Sequence, residues 1–292
     1  MPIENNDTEV TITSPTNPNT QVKVLKYGAT VYSWKVEGEE QLWLSDGAKL
    51  DGSRPVRGGI PLVFPVFGKS QDPSVSKMPQ HGFARRSTWE FLGQTKENPP
   101  TVQFGLGPEN ADAEVYKQWG DGNTDFTLVL TIVLLKDSLK MNIEVSNPGK
   151  KDFKFNWLFH SYLTVDDIED SLINNLPGEY CYDQLIKEHY TEREPAVNFS
   201  GELDRIYINV PTEKNLQIVD MGRAFHTVQR NNLPDVVIWN PWTEKAKSMS
   251  DFTPKNGFLK MVCVEPGHVH NFVTLKPGES WTAGQIIHKG AM

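Results

Sequence analysis

Two side chains in apolar surroundings have the chemistry of proton transfer. His160 lies in an aromatic segment over residues 154–163, and Glu265 ends the apolar run of residues 260–264, just before Pro266. An imidazole exchanges protons near neutral pH, and a carboxyl group beside a buried strand can have a raised pKa. Each residue also has a simpler interpretation: His160 as a hydrogen-bonded core histidine, and Glu265 as a solvated strand end.

A second set of polar residues lies in a basic stretch. Residues 54–86 carry six positive side chains against Asp72 alone, a net charge of +5, whereas the whole chain has a net charge of −8. Two segments stand out within this stretch, Val56-Arg57-Gly58-Gly59-Ile60 and Gln80-His81-Gly82-Phe83-Ala84-Arg85-Arg86. Arginine suits bidentate contact with phosphate, and glycine lets the backbone approach a ligand closely. The pattern indicates a small anionic ligand, unless the stretch is a solvated surface.

His268 and His270 are the candidates for a metal site. Residues two apart on a strand project on the same face, as metal ligands do. No carboxylate follows within residues 271–276, so locally hydrogen-bonded histidines are the better interpretation. Phosphate-loop, dinucleotide-binding and nucleophile-elbow motifs are absent from the sequence. We therefore expect a reaction that uses neither a metal nor a cofactor.

The elements that must position these groups are strands. About fifteen short segments of β pattern recur along the chain, with turns between them. The clearest patterns cover residues 101–106, 126–135 and 138–145, with residues 136–137 as a hairpin turn. Because helices do not separate the strands, a parallel β/α sheet is excluded and packed antiparallel sheets are favoured. We therefore expect an all-β fold.

Other segments are harder to assign. Residues 153–165 read as one long aromatic strand, and residues 60–67 as a strand interrupted by prolines. Residues 258–265 and 272–275 read as two separate strands, and residues 191–202 as a loop. Helical patterns are few and cover residues 111–119 and 242–249.

Composition excludes several classes of protein. The 292 residues are 38% hydrophobic and 23% charged, as in ordinary globular proteins. Two cysteines rule out a disulfide framework and fit a reducing compartment. The polar start lacks a signal-peptide pattern, and no apolar run approaches 18 residues, so we expect a cytoplasmic protein with no membrane partner. The negative net charge argues against nucleic acid as a partner. No linker or repeat divides the chain, so residues 1–292 are predicted to form one domain.

Five motifs occur together and in order. They are Arg57-Gly-Gly-Ile-Pro, Gln80-His-Gly-Phe-Ala-Arg85, Phe155-Asn-Trp-Leu-Phe-His160, Trp239-Asn-Pro-Trp242 and Val264-Glu-Pro-Gly-His268. With them the chain resembles the galactose-mutarotase-like superfamily, most closely its glucose-6-phosphate 1-epimerases, over about residues 23–288. The resemblance implies a single-domain β-supersandwich of large antiparallel sheets with the sugar in a cleft. It also implies cofactor-free interconversion of the α and β anomers of a hexose 6-phosphate.

The resemblance also implies residue roles. His160 matches the family's general acid, and Glu265 matches its general base. Substrate contacts are expected at Arg57, Gln80, His81, Arg85 and Asp204. Asp204 lies in the less distinctive segment 202–206, and Arg86 competes with Arg85 for the matched position.

Two other functions stay open at this point. A neutral-sugar aldose 1-epimerase would use the same acid and base but would need no pair of arginines. A non-catalytic sugar-phosphate-binding module would need the arginines but no acid–base pair. The sequence is compatible with a monomer.

Overall fold

The computed structural model describes residues 3–292. Its strands, in chain order, are β1 Ile3–Asn5, β2 Glu9–Thr13, β3 Gln21–Leu25, β4 Thr30–Val36, β5 Glu39–Glu40, β6 Leu62–Val63, β7 Glu90–Lys96, β8 Thr101–Leu106, β9 Thr127–Leu134, β10 Ser138–Ser146, β11 Phe153–Phe159, β12 Tyr162–Thr164, β13 Ser171–Asn174, β14 Tyr180–Asp183, β15 Glu188–Thr191, β16 Val197–Asn198, β17 Leu203–Tyr207, β18 Leu216–Asp220, β19 Arg223–Asn231, β20 Asp235–Asn240, β21 Met261–Leu275 and β22 Ser280–Lys289.

Helical elements are short. The α-helices are α1 Ala113–Tyr116 and α2 Trp242–Ser248, and single 3₁₀ turns cover Ala84–Arg86, Ile168–Asp170 and Gly257–Lys260. Both α-helices lie within the segments predicted for them. Across residues 3–292, no helix has the length and apolarity needed to cross a lipid bilayer.

The strands form three antiparallel sheets, which confirms the predicted all-β class. The first sheet has the order β1-β2-β3-β4-β5. The second has nine strands in the order β16-β13-β18-β19-β22-β10-β9-β8-β7. The third has eight strands when β12 is included, in the order β15-β14-β17-β20-β21-β11-β6 with β12 beside β21. The third sheet carries most of the residues singled out above.

Alternating burial explains why the middle of the nine-stranded sheet was predictable. In β9, Leu128, Leu130, Ile132 and Leu134 are buried while the residues between them are not. This period of two places one apolar face of the strand against the core. The hairpin that joins β9 to β10 turns at residues 136–137, as predicted.

The central strands of the third sheet are apolar on both faces. Val236 and Ile238 of β20 belong to the main core, whereas Val237 belongs to a small cluster with Leu158 and Ile206. Because successive residues of a strand point to opposite faces, the small cluster lies on the side of the sheet away from the main core. That side carries the polar site described below.

The structure corrects two strand predictions. Residues 153–165 are not one strand, because β11 ends at Phe159 and β12 begins at Tyr162. Of residues 60–67 only Leu62–Val63 pair as a strand, since Pro61 and Pro65 have no N–H to donate to a ladder.

The third sheet also contains strands that sequence patterns miss. Residues 258–265 and 272–275 are not separate strands, because most residues of both segments belong to the single strand β21. The register of β21 against β11 shifts along the strand. The hairpin of β14 and β15 was not predicted, since β15 lies at a sheet edge and is largely exposed. In the nine-stranded sheet, the strand β16 has two residues and lies in the segment 191–202, which was predicted as a loop.

Candidate active site

One cavity brings the predicted residues together. Its volume is about 320 Å³, which falls within the size range of small-molecule sites. Its walls include Arg57, Gln80, His81, Arg85, His160, Asp204 and Glu265, all seven residues expected from the sequence. The rest of the lining consists of Phe67, Gly68, Gln184, Val237, Trp239, Lys245 and Met249. Acidic, basic and aromatic side chains therefore converge in one place.

Strand register places two carboxyl groups on one face of the third sheet. Asp204 of β17 lies opposite Trp239 of β20, and Val237 of β20 lies opposite Glu265 of β21. Residues directly opposite each other in antiparallel strands have neighbouring side chains on the same face. Asp204, Trp239, Val237 and Glu265 therefore form one continuous surface of the cavity.

The break between β11 and β12 presents His160. The register that pairs Leu158 with Gly267 and Tyr162 with Cys263 would place His160 opposite Glu265. At the break, the His160 backbone N–H donates instead to the Pro61 carbonyl, at 3.0 Å. The imidazole stays on the face that carries Glu265, with its Nδ1 3.4 Å from Glu265 Oε1.

Aromatic rings hold the His160 imidazole in place. It stacks on the Tyr162 ring with centroids 4.7 Å apart and planes 9° apart. Trp239 meets both rings nearly at right angles, at 5.9 Å from each. These contacts restrict rotation of the imidazole and keep it facing the cavity.

His160 and Glu265 are both buried, which changes their proton affinities. Burial, followed by the positive charges of Arg85 and Arg57, lowers the pKa of His160 well below its ordinary value. Burial and the negative charge of Asp204 raise the pKa of Glu265 well above its ordinary value, against the opposing effect of Arg85. Both shifts favour the uncharged forms of the two groups, so burial directs a proton shared by the pair to the carboxyl group.

The hairpin of β14 and β15 holds Asp204. Gln184, in the turn of this hairpin, donates from Nε2 to Asp204 Oδ1 at 2.5 Å and from its backbone N–H to the Asp204 carbonyl at 2.8 Å. Burial raises the pKa of Asp204 to about 6, although the Gln184 hydrogen bond opposes the shift. Above that pH the carboxylate is ionised and suited to accept a hydrogen bond from a hydroxyl group.

Two partners fix Arg57. Its Nε donates to Asp251 Oδ1 and its Nη1 donates to Tyr162 Oη, both at 3.3 Å. Arg54 pairs with the other oxygen of Asp251 at 3.2 Å. A guanidinium has five N–H donors, so Arg57 keeps donors for a ligand. Tyr162 thus contacts Arg57 through its hydroxyl and His160 through its ring.

Arg85, and not Arg86, lines the cavity. Its Nη2 donates to the Gln80 carbonyl at 3.0 Å, and within residues 3–292 no carboxylate forms an ion pair with it. Burial and the nearby positive charges of Arg57 and Arg86 lower the pKa of Arg85 to about 10. Arg86 points elsewhere and pairs with Asp112 at 3.1 Å. Arg85 therefore lacks a counter-charge in the part of the chain that the structure describes.

A left-handed turn presents His81. Its φ is 69°, which is uncommon for histidine. The Gly68 N–H donates to His81 Nδ1 at 3.1 Å, and the His81 N–H donates to the Gly68 carbonyl at 3.0 Å. Because Nδ1 accepts, the ring proton lies on Nε2, which faces the Gln80 amide nitrogen at 3.2 Å. Both nitrogens are then donors, so the His81 Nε2–H is left to donate to a ligand in the cavity.

Three further lining residues have side chains that can donate hydrogen bonds but no role in the sequence analysis: Gln184, Trp239 and Lys245. Trp239 lies in one of the five motifs, and this position could have marked it as a site residue in the sequence. Gln184 lies in a hairpin turn and Lys245 in the short helix α2, where no local pattern marks a ligand contact. Only the sheet register and the helix packing bring them to the cavity.

The two histidines considered as metal ligands in the sequence lie apart from the cluster of metal-binding atom types in the structure. Among the described residues, the group with metal-binding atom types close together is His160, Cys263 and Glu265, within 4.8 Å of one another. Burial and the nearby Glu265 raise the pKa of the Cys263 thiol. His268 and His270 do not belong to this group; His268 packs beside Trp281 instead.

Comparison with known proteins adds evidence from related sequences. A family model described as Aldose 1-epimerase matches residues 11–288, beginning earlier than the motifs suggested. A protein of Cenchrus ciliaris named "Putative glucose-6-phosphate 1-epimerase" is 33% identical over 272 residues, which cover 90% of this chain and 79% of that protein. An Escherichia coli protein of the same name is 28% identical over 262 residues, covering 86% of this chain and 81% of that protein.

Solved structures share the fold. The crystal structure titled as a "putative mutarotase" from Salmonella typhimurium has a TM-score of 0.83 and 25% identity, covering 99% of this chain and 93% of that one. A galactose 1-epimerase from Lactobacillus acidophilus has a TM-score of 0.72 at 15% identity, covering 100% of this chain and 98% of that one. The second likeness concerns the fold alone.

Proposed function

Because the chain belongs to the aldose 1-epimerase family and is an isomerase, we propose that it interconverts the α and β anomers of hexose 6-phosphates such as glucose 6-phosphate. The observation that carries the proposal is the pair of arginines in the cavity, and Arg85 above all. Its guanidinium lacks a carboxylate partner within residues 3–292, and a phosphate group would supply the missing negative charge. The names of the curated relatives support the same substrate class.

In this proposal His160 and Glu265 carry the chemistry. Glu265 removes the proton of the C1 hydroxyl while His160 protonates the ring oxygen, so that the bond between C1 and the ring oxygen breaks and an aldehyde forms. The aldehyde turns about the C1–C2 bond, and the ring oxygen attacks its other face. As the ring closes, His160 takes back the proton of the C5 hydroxyl and Glu265 returns its proton to the C1 oxygen, so no atom or electron is gained or lost.

The phosphate group would prepare the pair for this step. Arg85 and Arg57 are among the causes that lower the pKa of His160. A bound phosphate dianion offsets those positive charges and therefore raises the pKa of His160; through Arg85 it raises the pKa of Glu265 too. A protonated His160 and an ionised Glu265 are the acid and the base that ring opening requires.

The other lining residues would bind and orient the sugar. Asp204 is suited to accept a hydrogen bond from a hydroxyl, and His81 and Gln80 offer a donor and an amide. Trp239 gives an apolar surface for the C–H face of the ring. A binding module without catalysis would have no use for an acid–base pair, which is why the isomerase is favoured.

The test follows the optical rotation of freshly dissolved α-glucose 6-phosphate. We expect the wild type to relax the anomers faster than buffer does. Glu265→Gln keeps the shape of the side chain but removes the base, so its kcat should fall by about 10²–10⁴-fold. Glu244→Gln, an exposed carboxyl outside the cavity, is the matched control and should keep full activity.

Circular dichroism would verify that both variants fold. His160→Asn serves as a second probe because it does not empty the aromatic stack as alanine would. Near wild-type turnover in Glu265→Gln would remove Glu265 from the mechanism, and a wild type that fails to accelerate relaxation of any hexose 6-phosphate would overturn the proposed substrate class.

A further inference from the structure

Lys245 is a third positive side chain on the cavity wall, and it lies far along the chain from the basic stretch 54–86. We propose that Lys245 is a specificity-determining residue that binds the 6-phosphate group at the mouth of the cavity. The inference rests on the proposed function, since it needs a phosphorylated substrate.

The short helix α2 directs Lys245 to the cavity. Lys245 and Met249 are four residues apart and both line the cavity, while Ala246 is buried beneath them. Lys245 lies in the last turn of α2 and Met249 directly follows the helix, so this end of α2 faces the site. Lys247, two residues further on, does not line the cavity.

The segment that carries α2 is fixed in place. Asn240 Oδ1 accepts from the Trp242 N–H at 2.9 Å, and Asn240 Nδ2 donates to the Phe258 and Met261 carbonyls, each at 2.9 Å. Trp242 has a φ of 52°, a conformation that persists only where the surroundings impose it. Lys245 is therefore an exposed side chain on a well-anchored backbone.

The ammonium group of Lys245 is unengaged, in contrast to its neighbours. Lys247 pairs with Glu244 at 2.8 Å, and Lys255 donates to the Ala246 carbonyl at 3.3 Å. Within residues 3–292, the Lys245 Nζ forms neither an ion pair nor a hydrogen bond. Its charge is thus available to a ligand.

The charges of the cavity match a phosphate monoester. Arg57 is already offset by Asp251, whereas Arg85 and Lys245 have no carboxylate partner in the described part of the chain. A phosphate monoester, which carries about −1.5 to −2 at pH 7, would give both side chains an anionic partner. Arg85 lies deeper and Lys245 at the exposed rim, where a strongly hydrated ammonium suits a phosphate that keeps some of its water.

The experiment compares Lys245→Ala with Lys247→Ala, a matched control on the same helix. We expect Lys245→Ala to raise the KM for α-glucose 6-phosphate about three- to tenfold with little change in kcat, because an exposed charge contributes less than a buried one. The KM for free glucose should not change. Lys245→Arg should restore most of the affinity, and Lys247→Ala should match the wild type with both sugars.

Each other outcome overturns the inference. If Lys245→Ala and Lys247→Ala have the same KM for glucose 6-phosphate while the wild type still prefers that sugar over glucose, Lys245 has no role and the proposed function stands. If Lys245→Ala raises the KM for both sugars by the same factor, the role of Lys245 is structural. If the wild type shows no preference for the phosphorylated sugar, the proposed function itself fails and the inference fails with it.

Discussion

The position of one proton decides what His160 and Glu265 can do. Two ordinary side chains at pH 7 would be a carboxylate and a mostly neutral imidazole, with no acid available. Burial raises the pKa of Glu265 and lowers that of His160, so a proton shared by the pair is drawn towards the carboxyl group. Because the two groups are coupled, the pair titrates as a unit.

Arg85 should control that titration. Its positive charge lowers the pKa of both His160 and Glu265. In the wild type we expect the His160 ring to stay neutral at pH 6.5 and to gain its proton only at lower pH. Arg85→Ala removes the opposing charge, so His160 should then titrate at higher pH. The NMR signal of the His160 imidazole is identified as the one that is absent in His160→Asn. Its titration in the wild type and in Arg85→Ala gives the pKa of His160 in each protein. A wild-type ring that titrates above pH 6.5 would contradict the assignment.

Arg85 and Arg86 should differ sharply in substrate binding. A charge-assisted hydrogen bond contributes roughly 1.5–3 kcal/mol, so Arg85→Ala should raise the KM for glucose 6-phosphate by about one to two powers of ten. Arg86→Ala is the matched control, since Arg86 pairs with Asp112 outside the cavity. Steady-state kinetics with both variants measures the two KM values. A raised KM in Arg86→Ala alone would assign phosphate binding to Arg86 instead of Arg85.

At the scale of elements, sequence patterns predict strands whose faces differ. β8, β9 and β10 alternate between buried and half-buried residues, and their bounds were predicted closely. The patterns fail where both faces are apolar, as in β11, or where an edge strand such as β15 is exposed. In those places burial depends on pairing with distant strands, which local sequence does not record.

The turn that carries His81 is an element with a strict steric requirement. Gly82 has a φ of 64°, and a Cβ there would lie 2.3 Å from the Phe64 carbonyl oxygen. That oxygen also accepts from the Phe83 and Ala84 N–H groups, at 3.0 and 3.2 Å. The loop therefore has no room to move away from a larger residue.

We expect Gly82→Ala to lower the free energy of unfolding by roughly 1–3 kcal/mol and to displace His81, raising KM as well. Gly201→Ala is the control, because no heavy atom lies within 4 Å of its added Cβ and its φ is not positive. Chemical denaturation and steady-state kinetics measure the two effects. Equal stability of the two variants would show that the turn tolerates a side chain.

At the scale of the whole molecule, charge separates the site from its surroundings. The protein has a net charge of −8, yet three positive side chains line the cavity against Asp204 and Glu265, and Glu265 favours its protonated form. Such a local field attracts a small anion to a protein that repels anions elsewhere.

Sequence motifs indicated some residues of the cavity, whereas others were found only from the folded structure. The seven residues expected from ordered motifs all line one cavity. Gln184 and Lys245 could not be foreseen, because their place depends on a hairpin turn and a helix that fold onto the site from other parts of the chain. The functional roles of the seven residues stay predictions.

Specificity for hexose 6-phosphates is tested by comparing two substrates with the wild-type protein. The value of kcat/KM is measured for α-glucose 6-phosphate and for α-glucose under the same conditions, from relaxation above the spontaneous rate. We predict a preference for the phosphorylated sugar of at least about tenfold, since one charge-assisted contact with phosphate contributes that much. Equal values would contradict specificity for hexose 6-phosphates, and a preference for free glucose would identify a neutral-sugar aldose 1-epimerase.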